Sequence, residues 1–159
     1  MTEESPKHVE HDEHPRERLN RNLNELLQEL RVAQAGVQIL FGFLLSITFT
    51  DVYQEETGAF ERSTHMVAVF FAVGAVALLT APAAWHRILI GQGKREQIMR
   101  LATRTTIAGL VCLSLAVTAS LLLLSEMVVG GPLAFVIAGV CAVVVGVLWF
   151  VLPMRHWDD

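Results

Sequence analysis

The sequence predicts an all-α, polytopic membrane protein: four transmembrane helices with an N-terminal cytoplasmic amphipathic helix. Two observations lead there. The 159 residues are 53% hydrophobic and only 18% charged, outside the balance of ordinary soluble domains. The charges are also segregated, since Val32–Thr50, Met66–Trp85, Thr105–Ser125 and Met127–Met154 contain no Asp, Glu, Lys, Arg or His. Each stretch has 19 residues or more, and a helix of about 20 residues crosses a hydrocarbon core of about 30 Å. Four of them leave no soluble remainder large enough to bury them.

Residues 1–16, MTEESPKHVEHDEHPR, have one Val and one Met among polar groups and read as a disordered cytoplasmic tail. His8, His11 and His14 recur there every three residues beside acids, a spacing that a solvated tail explains without a metal. In residues 17–31, Leu19, Leu23, Leu26, Leu27 and Leu30 mark one face of an amphipathic helix, leading into span one with neither Pro nor Gly between. The four-helix domain is residues 32–155, with spans at about 32–50, 65–85, 104–126 and 132–153, and residues 156–159 form a cytoplasmic C-terminus. The first span lies behind a charged tail and lacks a small-x-small pattern at its outer end, so it is not read as a cleaved signal peptide.

Basic residues orient the chain. Arg16, Arg18, Arg21 and Arg31 precede span one, Arg87, Lys94, Arg95, Arg100 and Arg104 fall between spans two and three, and Arg155 follows span four. The connection DVYQEETGAFERS has four acids against one Arg, and the last turn, EMVVGGP, has no basic residue. The positive-inside rule therefore puts both termini in the cytoplasm and the acidic loop outside. Pro132 suits the first turn of the fourth helix, Pro82 is expected to kink the second, and Pro153 to end the fourth. Tyr53, Trp85 and Trp157 fall where interfacial aromatics belong. The basic connection between spans two and three is expected to lie on anionic lipid head groups.

Small residues predict how the spans pack. Ala108, Cys112, Ala116 and Ser120 repeat every four residues on span three, and Ala134, Ala138, Ala142 and Gly146 do so on span four. Such stripes let helix backbones approach closely in lipid, and these two are expected to face one another across the EMVVGG turn.

Wound as one helix, Asn24, Arg31 and Gln38 are seven residues apart and drift only about 20° per step, with Gln34, Ala35 and Gly42 beside them. Gln38 falls roughly 4 to 5 Å from the middle of the bilayer and Arg31 about 15 Å from it. A side-chain amide at that depth needs a partner, so the seam is expected to face protein. Glu25 and Glu29 lie on another face, where they can pair with His86 or Arg87 from the end of span two.

No P-loop, nucleophile elbow, HExxH or dinucleotide fingerprint is present, and no nucleic-acid module accompanies the basic connection. Neither enzymatic activity nor a cofactor or metal is expected. The charge-free cores hold no Asp, Glu or His to titrate, which argues against a simple carboxylate relay. The leading expectation is a non-catalytic assembly or accessory subunit that forms a homo-oligomer or joins a larger membrane complex. A small oligomeric cation or proton transporter is the alternative.

The block RLNRNLNELLQELRVAQAGVQILFGFLL, with APAAWHR at the end of span two, resembles a family of unknown function. Its members are small four-span membrane proteins of high-GC Gram-positive bacteria, sometimes labelled sodium:proton antiporters. The resemblance covers roughly Glu17 to Arg155. It implies that Asn24, Glu25, Leu26, Leu27, Gln28, Glu29, Leu30, Arg31, Gln34, Gly36 and Gln38, with Pro82, His86 and Arg87, sit at motif positions.

Overall fold

A computed structural model describes residues 15–89 and 95–155. The chain forms α1 (Pro15–Ile47), α2 (Asp51–Glu56), α3 (Ala59–Leu89), α4 (Arg95–Val128) and α5 (Pro132–Gly146). A π-helical turn (Val147–Val151) and α6 (Leu152–Arg155) continue the line of α5. There is no strand among the described residues. Four helices are long and apolar enough to cross a membrane: Leu30–Ile47, Ala59–Trp85, Arg100–Val128 and Pro132–Arg155.

The expected disordered tail lies outside the described residues except for Pro15 and Arg16, which begin α1. From there α1 is continuous for 33 residues, so residues 17–31 and span one are one rod. The basic connection is also mostly helical, because α3 runs on to Leu89 and α4 starts at Arg95.

The acidic connection departs most from its expected form. Residues 51–63 are a helix, a two-residue break and the start of another helix rather than a loop. Thr50 caps α2 by accepting from the Tyr53 backbone N–H at 3.3 Å. Glu61 reaches back to the Gly58 N–H at 2.8 Å, a capping box that starts α3 at Ala59. Four carbonyls at the end of α1 have no helical donor of their own, and this connection supplies donors. Thr48 Oγ1 donates to Leu45 at 2.6 Å, the Phe49 N–H to Ser46 at 3.2 Å and the Thr50 N–H to Ile47 at 3.1 Å. The Leu44 carbonyl lies beside the His65 imidazole.

Packing is most extensive between α3 and α4, then between α4 and α5 and between α1 and α3. Leu30, Val37, Ala75, Leu79 and Leu113 form one buried cluster, and Leu44, Ala68, Ala72 and Ala116 a second one nearer α2. The closest backbone approach is at Gly109, where a Cβ would lie 2.8 Å from the Leu79 side chain. The fourth span is the least buried. Its N-terminal end is anchored by Ala134 and Ala138, which are buried, and by Phe135, whose ring is 5.8 Å from that of Phe60.

Two proline expectations change. Pro82 is buried within α3 without interrupting it. Pro153 does not end the fourth span, which continues to Arg155. A proline ring clashes with the carbonyl four residues earlier, here Trp149, and the wider π-helical turn around Trp149 gives that ring room. Gly130 and Gly131, at φ of 70° and 65°, make the turn between α4 and α5 in a conformation other residues adopt only at a cost.

Candidate functional site: the outer stripe of α1 and a buried histidine

The line of α1 that packs against the bundle is Leu30, Val37 and Leu44, all buried. Arg31 and Gln38 each come one residue later, hence about 100° around the helix, and both are exposed. Within one chain the seam therefore points away from the bundle. Its reason is competition for one narrow face, which the heptad of apolar residues wins because it fits the small side chains of α3. Ala35 and Gly42 are exposed on the same side as Gln38, and Gly42 has no atom within reach of a Cβ. Gln38 makes no hydrogen bond to any described residue.

Gln34, between the two lines, behaves differently. It is half-buried, and its Nε2 donates to the Leu79 carbonyl of α3 at 3.0 Å. Glu25 is exposed and lies 3.8 Å from Arg21 one turn before it, a solvated pair of small energetic consequence. The side chains of Asn24, Glu29, His86 and Arg87 lie outside the described residues, so their expected pairings do too.

The small-residue stripes do not face each other along their length. Ala116 packs with Ala68, Ala72 and Leu44, and the Cys112 Sγ lies 3.5 Å from where a Gly74 Cβ would be. The stripe of span three thus meets α3, with Ala108 half-buried and Ser120 buried, its hydroxyl donating to the Ala116 carbonyl at 2.7 Å. On span four Ala134 and Ala138 are buried, but Ala142 is exposed and Gly146 has nothing within 4 Å. Large residues explain the difference: the partner of a small stripe is whichever neighbour brings its own small residues, and α3 has Ala68, Ala72, Gly74 and Ala75. Where span four leaves α4 and α1, an apolar groove of about 340 Å³ opens, lined by Gly36, Leu40, Leu113 and Trp149 among others.

One residue was missed by the sequence reading. Because α3 begins at Ala59, His65 is inside the second candidate span, and it is 2% exposed. Its Nδ1 is buried with no hydrogen-bond partner. Tyr53 of α2 covers it edge-on, with ring centroids 5.1 Å apart, and this tyrosine is buried within the chain. Around them the Thr57 hydroxyl donates to the Tyr53 carbonyl, and Arg62 Nε donates to Thr57 Oγ1 at 3.4 Å. His65 escaped notice because it stands at the edge of a charge-free run, next to what reads as an acidic loop.

Among the described residues, no group of three or more His, Cys, Asp or Glu is placed to hold a metal ion. The features left are an outward stripe with an unpartnered amide, a groove open to lipid and a covered histidine. Residues 12–153 match a family described as "Family of unknown function (DUF6328)". The chain belongs to that family. No curated protein and no solved structure matches it. Almost the whole of α1, including its packed line and its outer stripe, lies within the part of the DUF6328 chain that matches, as do His65 and α2. What is established of this DUF6328 member is a four-helix membrane protein of unknown activity.

Proposed function

We propose that this protein is a non-catalytic assembly subunit of the bacterial cell membrane, with both termini cytoplasmic, that associates with a second copy of itself through Arg31, Ala35, Gln38 and Gly42 on α1. The observation that supports it is Gln38, an amide near mid-membrane depth, exposed and without a partner in its own chain. An amide both donates and accepts, so two copies related by a twofold axis satisfy each other with the same residue. Ala35 and Gly42 on either side let the two backbones come close. The basic ends of α1 and α4 then rest on anionic head groups.

The test is the dimer affinity of the full chain in lipid bilayers, read by energy transfer between labelled copies. Gln38→Leu is expected to weaken association by about 1 kcal/mol, about fivefold in Kd, with insertion unchanged because Leu favours the bilayer. Equal affinity of parent and variant, or a parent that stays monomeric, overturns the reading.

A further inference from the structure

His65 and Tyr53 have no part in that interface. Among the described residues they are the buried ionisable side chains, and they touch. By helix rise, His65 lies about 30 Å from Trp85 along α3. That distance matches the apolar core, so His65 sits at its boundary on the α2 side. Only Tyr53 of α2 is buried; Asp51, Val52, Gln54, Glu55 and Glu56 are exposed. A single aromatic anchor therefore holds a six-residue helix over a histidine whose second nitrogen has nothing to bond to.

We propose that His65 is a proton-binding site and α2 its lid. The Nδ1 lone pair takes a proton from water on the α2 side, and the neutral ring becomes an imidazolium with two N–H donors. Nδ1–H then needs an acceptor, and an unmet donor on a buried cation is costly. Water supplies one only if Tyr53 moves aside, so proton uptake and lid opening are one event. The ionisable and charged groups on the surrounding elements are Asp51, Tyr53, Glu55 and Glu56 on α2, Glu61 and Arg62 on α3, and Glu126 at the near end of α4; α1 brings none to this end. Glu61 and Arg62 are engaged with the backbone of Gly58 and with Thr57 and Gln54, which leaves the α2 acids as the groups that also respond to pH.

Hydrogen exchange of residues 48–58 in the full chain in bilayers, corrected for the intrinsic pH dependence, separates these sources. Between about pH 8 and about pH 5, the range in which histidine changes charge, exchange in α2 is expected to accelerate by about tenfold or more, as local opening does. His65→Gln keeps a polar side chain of similar length but cannot titrate, and its α2 is expected to stay at the slow rate at both pH values. An unchanged rate in the parent overturns the proposal, and so does an acceleration that survives in His65→Gln, which assigns the response to the α2 acids. Imidazole ¹⁵N shifts of the parent give the second measurement and do not depend on the variant folding. The buried ring must pass from a neutral tautomer to the cation in step with the exchange, and a ring that stays neutral throughout overturns the proposal.

Discussion

Gly109 and Gly74 are both glycines at the contact of α3 with α4, yet replacing them should have opposite costs. A Cβ on Gly109 would stand 2.8 Å from Leu79 Cδ2 and Cγ, and Leu79 is fully buried, so neither side can give without moving a helix. Gly109→Ala is expected to destabilise the bundle by about 1 to 3 kcal/mol, the range for overpacked cores. A Cβ on Gly74 would lie 3.5 Å from Cys112 Sγ, an ordinary contact, so Gly74→Ala should stay within about 0.5 kcal/mol of the parent. Unfolding titrations in mixed detergent measure both. Gly109 was not among the small residues singled out in the sequence, because it adjoins the Ala108 to Ser120 repeat rather than belonging to it. Repeats show which residues are small; only the neighbouring helix decides which of them bears the contact.

At the scale of the element, two of the three glutamines of α1, Gln34 and Gln38, have separate tasks. Gln34 bonds within the chain and Gln38 does not, so the two substitutions to Leu should divide. Gln34→Leu removes the bond to the Leu79 carbonyl and is expected to cost the isolated chain about 1 kcal/mol. Gln38→Leu is expected to leave the stability of the isolated chain unchanged; a single-chain unfolding measurement in excess detergent tells them apart. The existence and extent of the long helices were legible from segregated charge. The orientation of α1 was not, because Leu30, Val37 and Leu44 run parallel to Arg31 and Gln38 one residue away. In lipid an apolar line is not driven inward by water, so pattern alone does not say which line packs. DVYQEE read as a loop for a similar reason: α2 owes its helix to a Thr50 cap and one buried ring, and a six-residue helix leaves no periodicity to detect. His65 was lost with it.

For the whole molecule, an even number of spans returns the chain to the side from which it entered. Positive charge on the connection between α3 and α4 then predicts that Gly93 and the C-terminus are cytoplasmic and Gly58 external. Cysteine labelling of intact cells, with Cys112 and Cys141 replaced, should modify Gly58→Cys at once and Gly93→Cys only after permeabilisation. The reverse pattern would invert the molecule, with α2 and its histidine facing the cytoplasm. The uneven burial of the four helices matters at this scale too. Span four and the outer stripe of α1 expose much of their surface in a single chain, but among the described residues only the α1 stripe offers an unpaired amide between small residues, which is why the proposed interface lies there and not on Val136, Val140 and Val143.

Disulfide trapping between copies of the full chain in native membranes, with single cysteines scanned along α1 in the absence of Cys112 and Cys141, tests that interface most directly. Cross-linked dimers are predicted at positions 35, 38 and 42, with none at 33, 36 and 40 on the groove side. Cross-linking that is equal around the helix, or confined to the groove side, would contradict self-association through Gln38.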